Sequence, residues 1–444
     1  MRPVTDHTRL TGRSFAGFAA TMLLVEFMVV GMGAVDLLMI APLGMVHIAA
    51  LGLGDLIAVA LFSFFAGLVH ALSGRLAVAE GAGETVRRLP VLAVAGAALL
   101  AVFQVVGLVA APLVAPALTA AGQDPVLVPA VADHLGVRLG GLALALTASV
   151  TGVALRVCGA KGTATAVLAV GFAANLALDH AFLYTGLAVW FSSPEAAVAW
   201  ATVGAQAVML PVGALPLYRL LARRGQRPVR PRAREVGREL RTLVPTACGI
   251  GGRHVNDYMG AVLPVLFIGT LGAEAVAATA VATRVYTLYC RLPQSCFEAA
   301  FVFYGYAQGG PDARRTVRTL TRYAGAVTAV SGVAAVAAAP WLVAAFSGGG
   351  VDPEPARWLF LAYMASLPAY FFDQLRARFL SVHRRGGVLA ATSLLTYAVT
   401  VPLAWCAVFV WGSAFGAIAG RAAGYALSAL FLGRALDRQW ASTG

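Results

Sequence analysis

Hydrophobic and polar positions segregate along this chain into long blocks. Apolar runs recur from Phe15 onward, separated by short stretches rich in Gly, Pro and charge. A helix crosses a hydrocarbon layer about 30 Å thick in ~20 residues, and the runs are long enough to do so. They predict twelve spans, at 15–41, 46–74, 89–114, 127–155, 160–186, 197–222, 242–270, 275–306, 317–346, 355–381, 387–411 and 414–436. Turn chemistry stands between them, as in Ala-Pro-Leu-Gly at 41–44 and the run Gly348-Gly349-Gly350 before Asp352-Pro353.

Composition agrees with that pattern. Hydrophobic residues make up 59% and charged residues 12%, against roughly 45–50% and about 25% in soluble domains. One soluble core cannot hide so many long apolar runs. An all-α, multi-pass membrane protein is expected. The first run lacks a small-x-small cleavage site and is too long for a signal-peptide core, so it reads as a retained span. The five cysteines, Cys158, Cys248, Cys290, Cys296 and Cys406, show no C-x-x-C spacing and read as small apolar helix residues.

The net charge of +13 first suggests nucleic acid. Its basic residues, however, lie in short loops without aromatic interleaving or a recognition motif, which speaks against a nucleic-acid partner. They instead fall in alternate loops: Arg2, Arg9 and Arg13; Arg75, Arg87 and Arg88; Arg156 and Lys161; Arg219 to Arg241; Arg314 to Arg322; Arg376 to Arg385; Arg434 and Arg438. The other loops hold one, Arg357. Positive loops stay inside, so both termini and the central loop are expected in the cytoplasm. The Arg-rich stretch 223–241 reads as a solvated linker, with binding to anionic lipid headgroups as an alternative.

The two halves are related. A shift of 228 places Asp36–Gly83 on Pro264–Pro311 without a gap. Leu43-Gly44 then falls on Leu271-Gly272, Ala49-Ala50 on Ala277-Ala278, and Ala79-Glu80-Gly81 on Ala307-Gln308-Gly309. Six spans separate the copies, so the repeats run parallel, related by an axis along the membrane normal. The expected organisation is an N-terminal six-helix lobe at 1–222, the basic linker at 223–241 and a C-terminal six-helix lobe at 242–444. Two such lobes imply alternating access by rocking about a site near the midplane.

Val35-Asp36-Leu-Leu-Met-Ile-Ala-Pro-Leu-Gly44, followed by Ala49-Ala50-Leu-Gly, resembles the multidrug and toxic compound extrusion (MATE) family. There an Asp-bearing first helix ends in a Leu-Gly turn before an Ala-rich second helix. Gly81-Ala82-Gly83 and the second Leu-Gly turn extend the resemblance over the whole chain. It implies efflux of amphiphilic organic compounds across the cell membrane by antiport with protons or sodium, by a monomer in the lipid bilayer, with no cofactor beyond the coupling ion.

A charge within the bilayer is costly, so an acid there is first read as functional. The N-terminal half carries Glu26, Asp36, Asp55, Asp133 and Asp179 against Arg138 alone. Acids short of counter-charge must take a proton, bind a cation or sit in water. Asn175 and Asp179 are one turn apart on one helical face. The pair resembles the Asn and Asp that the DinF-like branch contributes, with the first-helix Asp, to a cation site. That resemblance implies oxygen ligands from Asp36, Asn175 and Asp179, with Thr202 beside them, for sodium or a proton. A hydrogen-bonded packing network is the alternative. Glu26 stands where the family usually has a first-helix proline, which puts a proline-dependent bend in doubt. It lies about 80° around the helix from Asp36 and reads as an extra proton carrier or as a residue facing a cleft.

The C-terminal half balances Arg253, Arg284 and Arg291 against Asp257, Glu298 and Asp373. Arg253 and Asp257 are spaced to pair, and Arg284, Arg291 and Glu298 recur every seven residues along one helical stripe. Asp257 and Asp373 match acidic positions of the NorM-like branch. Pairing with the arginines is the expectation, proton coupling the alternative. A third reading has the arginines receive an anionic substrate group. Pro264 and Pro293 lie inside spans and read as kinks, static or moving.

Other classes fare less well. The segment Ser73–Gly83 lacks the Asp-Arg-x-Gly-Arg-Arg pattern of the major facilitator superfamily. A lipid-linked oligosaccharide flippase of the same superfamily stays open. No H-E-x-x-H, Walker loop or Gly-x-Ser-x-Gly points to an enzyme or a nucleotide-driven pump. His70, His180 and His254 are scattered over three helices and read as hydrogen-bonded rather than catalytic.

Overall fold

A computed structural model of the chain describes residues 11–81, 84–223, 231–307, 313–382 and 386–441. Among these there are helices and turns and no strand. Fifteen α-helices follow one another: α1 Gly12–Ile40, α2 Met45–Gly81, α3 Thr85–Ala110, α4 Val114–Ala120, α5 Val128–Gly140, α6 Leu142–Val157, α7 Lys161–Tyr184, α8 Pro194–Ala222, α9 Ala233–Ile268, α10 Ala273–Ala307, α11 Ala313–Ser347, α12 Pro353–Ala365, α13 Leu367–Val382, α14 Gly386–Phe409 and α15 Ala414–Ala441. Every predicted span coincides with a helix or a broken pair of helices.

Two spans predicted as continuous are broken. The fourth is α5 and α6, bent by 52° at Gly141. The tenth is α12 and α13, interrupted at Ser366, whose hydroxyl turns back onto the carbonyl of Tyr363. The linker prediction also needs correction, since Ala233–Arg241 is already helical as the start of α9. Glu239 there receives Arg75 at 3.3 Å and Arg88 at 4.0 Å. Those contacts anchor the helix and explain why this basic stretch is not all loop.

By length and composition, seven single helices among the described residues can cross a membrane, and two bent pairs raise the number to nine. Charge accounts for much of the shortfall. For example, α10 carries Arg284, Arg291 and Glu298, and each ionised group subtracts heavily from apolarity.

The internal repeat is visible in the backbone. Each copy closes its first helix with a 3-10 turn, Ala41–Leu43 in one and Gly269–Leu271 in the other. The glycine that follows has positive φ in both, 127° at Gly44 and 107° at Gly272. A side chain would clash in that conformation, so the Leu-Gly turn needs its glycine. The next helix then begins in the same way, with the amides of Ile48 and Val276 donating to the carbonyls of those glycines.

Contacts divide the chain into two compact units. One comprises Met1–Ala34 with Leu263–Gly444, the other Val35–Val262. The cuts at Val35 and Leu263 stand 228 residues apart, the offset of the repeat. Each unit therefore contains the opening segment of the other sequence half's first helix, a division different from the one drawn along the sequence.

In the Val35–Val262 unit, α2 packs against α5 and α6, while α8 packs against α5, α6 and α7. The first part of α9 lies on α2 with backbones nearly touching. A Cβ on Gly67 would fall 2.2 Å from the Ala247 carbonyl oxygen, and one on Gly251 would fall 2.2 Å from that of Phe64. Small residues at both positions make this approach possible. Around it, Leu68, Leu72, Leu76, Leu92, Leu243 and Ala247 form a buried cluster.

In the other unit, α15 packs on α14 and α13, and α10 on α11, α12 and α13. A stripe of Gly416, Gly420 and Gly424 brings α15 against Ala407, Leu403 and Thr400 of α14. The start of α1 belongs here through Phe15, whose ring meets Phe303 and Tyr323. Near residue 29, α1 bends by 44°. No proline lies within this helix, and Gly31 and Gly33 follow the bend, a common cause of kinks.

Candidate functional site

The acids of the Val35–Val262 unit gather where three helices bring polar groups into an apolar interior. Asp36 lies one turn before the end of α1. Asn175 and Asp179 lie one turn apart near the end of α7, and Thr202 lies two turns into α8. Asn175 and Asp179 are 0% exposed and Asp36 is 3% exposed.

Small residues allow this convergence. A Cβ on Gly171 of α7 would meet the Met209 sulfur of α8 at 2.4 Å, and one on Gly204 of α8 would meet Leu178 at 2.9 Å. The Tyr184 hydroxyl donates to the Met39 carbonyl, which ties the end of α7 to the end of α1 and sets Asp179 level with Asp36. The start of α8 is capped by Ser193, which accepts from the Ala196 amide.

Thr202 donates its hydroxyl to Asp36 Oδ2 at 3.3 Å, with the Val198 carbonyl as an alternative acceptor at 3.2 Å. Asp179 lies within side-chain hydrogen-bonding reach of Asp36. Yet among the described residues no donor reaches either oxygen of Asp179, and none bonds the Asn175 amide. Two carboxylates both accept, so they join only through a shared proton or a bridging cation. The arrangement offers carboxylate, amide and hydroxyl oxygens, a donor set for a hard cation or for a proton. Among the described residues, no group of three or more His, Cys, Asp or Glu side chains stands at metal-binding spacing. A sodium ion here would therefore depend on Asn175 and Thr202 as well as the two acids.

Other acids of the unit are placed apart. Asp55 faces His134 Nε2 at 3.3 Å, and His134 Nδ1 contacts the Glu195 carbonyl at 3.2 Å. The Glu195 carboxyl, 0% exposed, meets His47 Nδ1 at 2.8 Å. Asp133 accepts from the Ser192 hydroxyl at 2.8 Å, and Arg138 lies over the Phe62 ring at 5.2 Å. His70 and His254 pack ring to ring at 5.1 Å, and His180 contacts Tyr184 at 5.8 Å.

Glu26 is not part of the acid cluster. It belongs to the other unit, where it pairs with Arg291 of α10 at 3.0 Å. Arg291 also donates to the Thr287 carbonyl one turn back. The expected stripe on α10 is present, but its members have separate partners. Glu298 is held by Arg378 of α13 at 2.7 Å. Asp373 is buried and accepts from Gln374 at 3.0 Å, and Arg284 is half-buried. The side chains of Arg253 and Asp257 lie outside the described residues.

Sequence reasoning passed over two groups. Glu195 falls just before the predicted start of its span and so read as loop, although Ser-Pro-Glu at 193–195 is a helix-start signature. Arg421 of α15 was absent from the balance of the C-terminal half. Its guanidinium donates to the Tyr425 hydroxyl at 3.1 Å. Around that tyrosine, Tyr370 lies at 5.4 Å and Tyr286 stacks on Tyr363 at 4.9 Å. The spacing of Arg421 and Tyr425, one helical turn, was the available signal.

Comparison with known proteins now bears on this geometry. A family model, MatE, matches residues 22–180, a stretch that includes Asp36, Asn175 and Asp179. No curated protein matches the sequence. The fold matches an inward-facing multidrug resistance MATE family transporter of the MOP superfamily with a TM-score of 0.77, at 18% identity, over 91% of this chain and 92% of that one. An outward-facing structure of such a transporter matches with a TM-score of 0.62, at 18% identity, over 100% of each chain. A MOP superfamily transporter from Pyrococcus furiosus, described as having a binding pocket of reversed polarity, matches with a TM-score of 0.67, at 17% identity over 97% of each chain. The chain thus has the twelve-span, two-lobe fold of the MATE transporters.

Proposed function

We propose that this chain is a cation-coupled efflux transporter of the MATE type, exporting amphiphilic organic compounds across the cell membrane by alternating access. The observation that carries this reading is the buried meeting of Asp36, Asp179, Asn175 and Thr202. An acid pair enclosed by apolar helices costs several kcal/mol unless its charge is matched. That cost is supportable where the pair exchanges its partner cation during a cycle. The location of three of these residues within the segment matching the MatE family model supports the same conclusion, as do solved relatives in inward-facing and outward-facing forms.

Binding of a proton or sodium ion by Asp36 and Asp179 in one state, and its release in another, would link the ion gradient to substrate export. Thr202 steadies Asp36 for that role, and the Asn175 oxygen completes a sodium shell or hydrogen-bonds a protonated acid. No observation favours the flippase reading, because Arg291 is already engaged by Glu26. The test is movement of the lipophilic cation tetraphenylphosphonium into proteoliposomes under separate proton and sodium gradients. Wild type should concentrate the probe under one of them, and Asp36→Asn should not. Undiminished uphill movement in Asp36→Asn would sink the site assignment.

A further inference from the structure

The contact between Asp55 and His134 has a chemistry that the acid cluster does not require. His134 is 1% exposed, and its ring is fixed by the approach of α2 to α5. Gly54 makes room for it, since a Cβ there would lie 2.9 Å from His134 Cδ2. Nδ1 meets the backbone carbonyl of Glu195 at 3.2 Å. A carbonyl only accepts, so Nδ1 must carry a hydrogen. The ring then presents Nε2 toward Asp55 Oδ1 at 3.3 Å, and among the described residues nothing else reaches Nε2. Without a proton on that contact, a nitrogen lone pair would face a carboxylate oxygen inside the protein. With one, the pair is either imidazolium and carboxylate or imidazole and carboxylic acid.

We propose that Asp55 and His134 form a second proton-holding site, adjacent to the Asp36–Asp179 pair, so that each transport cycle exchanges two protons. The inference rests on the proposed function. Its link to the first site runs along α8, where Glu195, whose carbonyl meets His134, stands two helical turns before Thr202, whose hydroxyl reaches Asp36 Oδ2. Acids so placed load in sequence, the first proton lowering the affinity of the neighbouring site for the next. The surrounding titratable and charged groups are Asp36 of α1, His47 of α2, Asp133 and Arg138 of α5, Asp179 and His180 of α7, and Glu195 of α8. Of these, the His47–Glu195 pair couples a side chain 32% exposed to one fully buried. It lies two helical turns nearer the start of α2 than Asp55. The proton passes from one acceptor to the next with no bond to carbon made or broken.

The experiment measures how many protons accompany each substrate. Proteoliposomes holding the full chain, without sodium and with the potential clamped to zero by potassium and valinomycin, receive a pH gradient of one unit and tetraphenylphosphonium. Two coupled protons give a steady accumulation of about 100-fold, and one gives about tenfold. Wild type should approach the former. Asp55→Asn, which keeps the shape and lacks the ionisable proton, should fall to about tenfold while still exchanging labelled for unlabelled probe without a gradient. If it does not yield folded protein, the same two readouts are taken on His134→Gln. A wild-type value near tenfold, an unchanged ratio in the variant, or joint loss of exchange and uphill movement in a folded variant would overturn the proposal. Absence of any proton-driven accumulation in wild type is a separate result, and it overturns the proposed coupling itself.

Discussion

The two compact units solve the problem of charge among apolar helices in opposite ways. In the Val35–Val262 unit, Asp36 and Asp179 lie beside each other, with polar but uncharged neighbours at Asn175 and Thr202. In the unit containing Leu263–Gly444, acids lie beside arginines, as in Glu26 with Arg291 and Glu298 with Arg378. A paired acid is neutralised by a fixed residue and has no reason to bind a mobile ion. Two acids side by side can share a proton or a cation between them, so the Asp36–Asp179 pair suits a transported ion. Under the proposed function, the difference would place coupling in the first unit and a fixed electrostatic framework in the second.

The largest expected effect comes from breaking the exchange of helical segments on which the first unit depends. Gly251 packs on the backbone of α2 with no room for a side chain. Gly251→Leu should cost ~3 kcal/mol or more, as overpacking against a backbone that cannot yield. Thermal unfolding in detergent should show a large fall in midpoint or no folded protein at all. Gly74→Ala on α2, where nothing lies within 4 Å, should leave the midpoint near that of wild type. Equal behaviour of the two variants would mean that the α2–α9 contact does not hold the unit together.

The framework role of the second unit is sharpened by Glu26→Gln. It leaves Arg291, with a side chain 19% exposed, facing a neutral amide across a gap that was 3.0 Å. A charge-assisted hydrogen bond is worth ~1.5–3 kcal/mol, and the partial exposure of Glu26 argues for the lower end. Stability should fall by about 1.5 kcal/mol, while gradient-driven accumulation stays close to the wild-type ratio. Loss of accumulation comparable to that of Asp36→Asn would dissolve the contrast between the units and restore Glu26 as a proton carrier.

Much of this contrast could be read before any coordinates. The span count follows from block-wise hydrophobicity, and the repeat is carried by turns whose positive-φ glycines admit few substitutes. Asp36, Asn175 and Asp179 were legible because a buried acid without counter-charge is conspicuous in an apolar run. The partners were not. Glu26 and Arg291 lie 265 residues apart, and His47 and Glu195 lie 148 apart, distances at which helical spacing says nothing. The expected lack of counter-charge does not hold for Glu26, which Arg291 pairs, because the opening segment of α1 belongs to the other unit. The break at Gly141 was hidden for a different reason, since no proline or polar turn separates α5 from α6, only Gly140-Gly141.

The smallest expected effect tests the finest part of the site. Thr202→Val preserves the shape of the side chain and removes the hydroxyl that reaches Asp36 Oδ2 at 3.3 Å. That bond is long, and the same hydroxyl has the Val198 carbonyl as an alternative acceptor, so its loss should cost about 1 kcal/mol. If Thr202 only orients Asp36, the concentration of coupling ion needed for half-maximal transport should rise about fivefold for a proton and for sodium alike. If its oxygen enters the ion's shell, sodium dependence should weaken much more than proton dependence, because a hard cation loses a ligand and a proton does not. Comparing the two half-saturation values in one variant therefore separates an orienting threonine from a coordinating one. An unchanged value for both ions would remove Thr202 from the site and leave the two acids and Asn175 to hold the cation.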